Sequence, residues 1–99
     1  MASFTIDISS EAEEDLQYYR AYERKTILTT ALASLRDTPA VETNERKRLR
    51  PNPIAPWEVK VGKYRILYAI EAEERRVTII AIGHKVHNIL YIRGKVVSL

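Results

Sequence analysis

Glu58, Lys60, Arg65, Lys85 and Tyr91 bring a carboxylate, three cations and a phenol into one stretch of the chain. Such groups hold an anion or move a proton. Alternation along Trp57-Glu58-Val59-Lys60-Val61 puts Glu58 and Lys60 on the strand face opposite Trp57, Val59 and Val61. In Tyr64-Arg65-Ile66-Leu67-Tyr68, Arg65 shares its face with Leu67. An arginine so placed either bridges to a carboxylate at the core edge or holds a phosphate. Taken alone, Lys60 reads as a solvated lysine and Tyr91 as a packing residue. His84 and His87, at i and i+3, would share a helix face, but no third ligand stands nearby, so no metal is expected. Glycine-rich phosphate loops, a GxSxG elbow and a cysteine nucleophile are all missing. No cofactor is expected.

Charge is distributed unevenly around these residues. Residues 1–40 carry four basic and seven acidic side chains, and residues 41–99 carry twelve and six. The two parts therefore differ in sign, at −3 and +6, within a total of +3. A localised positive field attracts a nucleic acid or an acidic protein, or it is simply a solvated basic face. The densest cluster is Arg46-Lys47-Arg48-Leu49-Arg50. The absence of cysteine excludes disulfides and thiolate zinc sites and fits a reducing compartment. No window approaches a membrane span, and Met1–Ser10 lacks a signal-peptide layout, so a cytoplasmic protein without membrane contact is expected.

The elements that must position these groups follow from periodicity. Residues 1–99 read as one domain. Phe4, Ile6 and Ile8 mark a first half-buried strand over Ser3–Ile8, and Ser10 with Glu13 has capping-box spacing for a helix. Ala12, Leu16 and Tyr19 continue one helical face; Ile27, Leu28, Ala31, Leu32 and Leu35 form a second stripe. Neither Gly nor Pro settles whether Ala21–Arg24 bends the chain into a helical hairpin, and Asp37-Thr38-Pro39 ends the helical region. A proline-rich loop over 40–56 holds at most a short strand near Lys47–Arg50. Strands over Trp57–Val61, Tyr64–Glu71 and Arg75–Ile82 should form an antiparallel meander, with Gly62-Lys63 as a two-residue turn and Gly83 ending the last strand. His84–Arg93 reads as a short helix or extended tail, and Gly94–Leu99 as a frayed strand. The order is α+β, with helices on one sheet face and the other face free to carry function.

The run Trp57-Glu58-Val59-Lys60-Val61-Gly62-Lys63-Tyr64-Arg65-Ile66-Leu67-Tyr68, then Ile82-Gly83-His84-Lys85 and Tyr91, resembles the RelE/ParE toxin superfamily of type II toxin–antitoxin systems. The helix ending Leu35-Arg36-Asp37-Thr38-Pro39 and the basic Lys47-Arg48-Leu49 agree with it. The resemblance implies a small, twisted antiparallel sheet with N-terminal helices packed on one face. RelE-type members cleave mRNA in the ribosomal A site; ParE-type members poison DNA gyrase. On the RelE side it implies that Lys60, Arg65, Lys85 and Tyr91 are catalytic. Glu58 stands where RelE itself often has a base, which leaves room for another acid–base arrangement that includes Glu58 or His87. Lys47, Arg48, Arg50, Lys63 and His84 would then hold RNA.

In that chemistry the 2′-hydroxyl attacks the adjacent phosphate, giving a 2′,3′-cyclic phosphate and a 5′-hydroxyl. Cations stabilise the growing charge, and no metal is needed. The implied partners are the ribosome, its mRNA and a cognate antitoxin anchored on apolar patches of the helical layer. A ParE-like gyrase inhibitor and an inactive toxin fold are the alternatives. The nuclease expectation requires side chains 60, 65, 85 and 91 to converge on one face, untied by internal ion pairs. It also implies that Arg65→Ala stops cleavage, and that Tyr91→Ala slows it without loss of antitoxin binding.

Overall fold

A computed structural model describes residues 3–99, so Met1 and Ala2, where the signal-peptide expectation begins, lie outside it. Strand β1 (Thr5–Ile8) is followed by helices α1 (Ser10–Gln17) and α2 (Ala21–Leu35), then β2 (Arg46–Arg48), β3 (Trp57–Val61), β4 (Tyr64–Glu71), β5 (Arg76–Val86), β6 (Ile89–Ile92) and β7 (Lys95–Val97). The sheet runs β2-β3-β4-β5-β6-β7 with antiparallel neighbours. One pairing departs from the antiparallel expectation: β1 lies parallel to the first part of β5, from Thr5↔Arg76 to Ile8↔Ile79. Because β5 has 11 residues, the edge that β1 occupies continues past it and takes β6 at His84–Val86, while β4 pairs along the opposite edge. No helix among the described residues is long and apolar enough to cross a membrane.

Local chemistry explains the helical layer. Ser9, not Ser10, caps α1: its Oγ accepts from Ala12 N–H at 3.1 Å, while its own N–H donates to Ile79 O at 2.9 Å. One residue thus ends a strand and starts a helix. The chain does make a helical hairpin, and the break falls at Tyr18–Arg20. There Tyr18 and Tyr19 N–H groups reach back to Asp15 O and Leu16 O, each at 3.1 Å, tightening the last turn. Glu23 then accepts from Arg20 N–H at 3.1 Å, opening α2. Arginine has no acceptor, so this is half a capping box. Ile27, Ala31 and Leu35 of α2 are fully buried and pack with Ala12 and Leu16 onto Trp57, Val59, Ile66, Tyr68, Val77 and Ile79.

Two features of β5 decide which residues face which side. A bulge opposite Leu67/Tyr68 pairs Leu67 with Ala81 but Tyr68 with Ile79, leaving Ile80 as the extra residue. Before it the odd residues Val77 and Ile79 enter the helix-side core; after it Ile82 does. Gly83 and Lys85 consequently fall on the far face with Arg65. Gly83 does not end the strand as expected; it lies within β5, opposite Arg65. A Cβ there would overlap the Tyr91 carbonyl oxygen, so glycine lets β6 close over β5. Gly83→Ala should cost roughly 1–3 kcal/mol by overpacking. A urea midpoint equal to wild type would disprove the close approach.

The segment expected as helix or tail is instead two successive hairpins. His87-Asn88 (φ 51 and 68) and Arg93-Gly94 (φ 50 and 76) form two-residue turns with both residues left-handed. The far face is therefore only partly open. Leu90 joins Ala55, Leu67 and Ala81 in a second apolar cluster there, flanked by Leu49, Ile54, Ile92 and Val97. The cations occupy the rest.

Candidate phosphate-binding face

Register brings the far-face cations together. Lys60 is the cross-strand partner of Arg65, Arg65 of Gly83, and Lys47 of Glu58. Gly83 contributes no side chain between Arg65 and Lys85. The result is a hollow of about 150 Å³ lined by Lys47, Glu58, Lys60, Arg65 and Lys85, with the Thr43–Lys47 segment along its rim. Glu58 is 4% exposed. Arg65 Nε stands 3.8 Å from Glu58 Oε2, an ion pair longer than a hydrogen bond. Arg65 Nη1 donates to Gly62 O at 2.9 Å and Tyr64 O at 3.0 Å, so the β3–β4 turn orients the guanidinium. Two carboxylates, Glu45 and Glu58, share this small polar space with several cations. That arrangement can seat an oxyanion and accept a proton.

Other expected site residues lie elsewhere. Tyr91 pairs with His84, which shares the helix side of β5 with Ile82, so Tyr91 does not meet Lys60, Arg65 and Lys85. Of the four-residue convergence, three members meet and one is on the opposite face; Arg65 also has an internal carboxylate partner. Tyr91 stacks on His84 with ring centres 5.6 Å apart, and Tyr18 stacks at 6.3 Å. Lys63 turns to the same side, its Nζ 5.5 Å from the Tyr64 ring centre. His87 sits in a left-handed turn position, so the two histidines share no helix face, and no metal-holding cluster occurs among the described residues. Arg48 lies over Trp57 at 5.9 Å, and Arg50 donates to Leu99 O at 3.3 Å; both border cavities beside the hollow. Arg46 is buried, bonding Ser34 O and Thr38 Oγ1, and so holds the C-terminal end of α2.

Sequence reading missed the network around His84. Tyr19, from the helix break, bonds His84 Nδ1 at 2.7 Å, and Tyr64 OH donates to Glu23 Oε2 at 2.5 Å. Burial pushes the Tyr19 phenol well above its usual range, and burial with the Glu23 bond takes Tyr64 up to about 12. Both stay protonated at neutral pH. Asp15 is 2% exposed; its Oδ2 accepts from Ile82 N–H at 3.0 Å, beside the bulge, and Oδ1 lies 2.8 Å from Arg93 Nε, off the hydrogen-bond axis. Burial raises the Asp15 pKa, opposed by the Ile82 bond and Arg93. Arg93 also bonds Glu14 at 2.9 Å, fastening the β6–β7 turn to α1. No residue pattern announced these long-range contacts.

Burial first, then the Lys63 ammonium, holds the His84 pKa below the ordinary imidazole value of 6.5, with Glu23 opposing. The unfolded chain then binds this proton more readily than the folded one. His84's contribution to stability is full above about pH 6.5 and is lost as pH falls through the folded value. Urea midpoints should drop between about pH 7 and pH 5 more steeply for wild type than for His84→Gln. Parallel slopes would show that His84 is not the group responsible.

The family described as the ParE toxin of type II toxin-antitoxin system, parDE, matches residues 6–89. Among solved structures, the chain is similar to one in the RelBE2 toxin–antitoxin complex from Mycobacterium tuberculosis, with 24% identity, TM-score 0.73, and 85% of this chain and 100% of that one covered. It is also similar to one in the intact E. coli RelBE complex, with 21% identity, TM-score 0.64, and coverage of 85% and 99%. For the archaeal RelE–RelB complex from Pyrococcus horikoshii the figures are 13%, 0.66, 85% and 97%. At these identities the likenesses establish the fold. Comparison with curated proteins gives no match.

Proposed function

Because this chain belongs to the ParE toxin family of type II toxin–antitoxin systems, we propose that it is a toxin whose open sheet face seats an RNA phosphate and cleaves the strand beside it. The observation that carries this reading is the shared lining of one hollow by Glu58, Lys60, Arg65 and Lys85. The four-residue arrangement that the sequence required fails on both counts, because Tyr91 faces away and Arg65 is paired with Glu58; the site proposed here keeps only Lys60, Arg65 and Lys85 of it and adds Glu58. Glu58 takes the base role instead, accepting the 2′-hydroxyl proton as the O2′–P bond forms. Arg65, already oriented by Gly62 and Tyr64, neutralises charge on the phosphate. Lys60 or Lys85 gives a proton to the 5′-oxygen as the P–O5′ bond breaks, leaving a 2′,3′-cyclic phosphate and a 5′-hydroxyl. The Glu58–Arg65 distance of 3.8 Å supports exchange of this internal contact for a phosphate, since no close hydrogen bond must break.

Isolated cations bind any phosphate, so the ribosome is the proposed source of selectivity: it presents message in the A site. An antitoxin is the expected partner of such a toxin. Tyr18 and Tyr22 are 53% and 68% exposed on the helical layer and suit an amphipathic partner helix.

Gyrase inhibition is the second reading, favoured by the placement of Tyr91 opposite the hollow and by Arg65 having a carboxylate partner. Primer extension on message translated by purified ribosomes, run beside a gyrase supercoiling assay, separates the two. New message ends with unimpaired supercoiling are expected. Intact message with blocked supercoiling would replace the nuclease reading by the second.

A further inference from the structure

Between two of its partners, β5 runs a short distance with no strand on one side. β1 pairs as far as Ile79 and β6 begins at His84 on the same edge, so residues 80–83 face no strand there. Helix α1 and its cap supply the missing partners. Ser9 Oγ donates to Ile80 O at 3.2 Å, and Asp15 Oδ2 accepts from Ile82 N–H at 3.0 Å. Asp15 is buried, and Arg93 from the β6–β7 turn stands against its other oxygen. The stretch held in this way contains the extra residue of the bulge, and Lys85 follows it.

The bulged pairing has a competitor. With no extra residue, the register set by Tyr68↔Ile79 would continue as Ile66 with Ala81, Arg65 with Ile82 and Tyr64 with Gly83. A one-residue slip turns every later side chain to the other face. Lys85 would leave the hollow for the helix side. Side chains choose weakly between the two registers, since Ile79, Ile80, Ala81 and Ile82 are all apolar. Backbone direction chooses more sharply, because successive N–H groups of a strand point to opposite edges. In the slipped register Ile82 N–H turns towards β4, and the buried Asp15 carboxylate loses its donor. We propose that Asp15 is a positioning residue for the hollow, holding β5 in the bulged register that places Lys85 beside Arg65. Its effect on chemistry rests on the reading that the hollow seats an RNA phosphate; its effect on register does not.

The test compares Asp15→Ala with Asp15→Asn in the full chain. Asparagine keeps an oxygen that can accept from Ile82 N–H; alanine does not. Cross-strand Hα–Hα contacts, measured by nuclear Overhauser effects, read the register. Ile66 should meet Ile82, and Tyr64 should meet His84, in wild type and Asp15→Asn. In Asp15→Ala these should be replaced by Ile66 with Ala81 and Tyr64 with Gly83. Cleavage of ribosome-bound message reads the consequence: Asp15→Ala should be about 10²-fold slower, as for loss of one donor to the phosphate. Adding Lys85→Ala should then change little, whereas Lys60→Ala should slow Asp15→Ala as much as it slows wild type. Wild-type contacts in Asp15→Ala, or an undiminished effect of Lys85→Ala in that background, would overturn the proposal. A wild-type chain that cleaves no message would remove the nuclease and leave the Hα contacts to decide the register. If Asp15→Ala fails to fold, deletion of Ile80 removes the competing register, and Asp15→Ala should fold in that background. A chain with both changes that stays unfolded would show that Asp15 holds the fold and not the register, which sinks the proposal.

Discussion

Glu58→Gln is expected to lower message cleavage by about 10²–10⁴-fold, the usual worth of a general base. Two carboxylates line the hollow, the exposed Glu45 of the rim segment and the buried Glu58, which stands beside Arg65; Tyr91 and His84 lie on the other face and His87 in the β5–β6 turn. Glutamine keeps the shape of the side chain but cannot take the 2′-hydroxyl proton. The fold should survive, because Arg65 retains Gly62 O and Tyr64 O as acceptors. Circular dichroism and antitoxin affinity should match wild type, so the loss belongs to chemistry. Tyr91→Phe, by contrast, should cleave at close to the wild-type rate, since only the stacking ring is used. A slow Tyr91→Phe with an active Glu58→Gln would restore the tyrosine and dismiss the carboxylate.

Arg65→Ala should reduce the cleavage rate by about 10²–10³-fold, the effect of removing one donor from a developing oxyanion. The side chain is 14% exposed, and its hydrogen bonds stay within the Gly62–Tyr64 turn, so truncation leaves the two apolar clusters untouched. It also strips Glu58 of its counter-ion. Arg65→Lys should recover part of the loss, because a point charge replaces the planar fork. Kinetics on ribosome-bound message, with the urea midpoint as a control, would check this. An Arg65→Ala enzyme that is fully active would remove the guanidinium from the site.

The β3–β4 half of the site was legible because alternation and a two-residue Gly62-Lys63 turn constrain it tightly. Both strands have the expected bounds, and Glu58, Lys60 and Arg65 share the expected face. The Lys85–Tyr91 half was not legible, for two physical reasons. The bulge at Ile80 changes which residues of β5 face the helices, and nothing in Thr78-Ile79-Ile80-Ala81 signals an extra residue. His87-Asn88 then reverses the chain without a glycine, and this turn pairs Tyr91 with His84, not with Lys85. Gly83, read as a terminator, is a point of close approach within the strand. The same limit applies to the cap at Ser9, where neighbouring serines offer equivalent side chains and only the β1–β5 pairing chooses between them. Arg46 looked like one more member of a basic cluster, whereas its pairing with Val59 turns it into the protein to hold α2.

What separates this account from its rivals is the face of the sheet that RNA touches. Amide and side-chain chemical shifts, followed while a short 2′-deoxy-substituted, uncleavable RNA is added, read that face directly. Shifts concentrated at Glu58, Lys60, Arg65 and Lys85 are the expected result. Shifts confined to Tyr18, His84 and Tyr91 would contradict it.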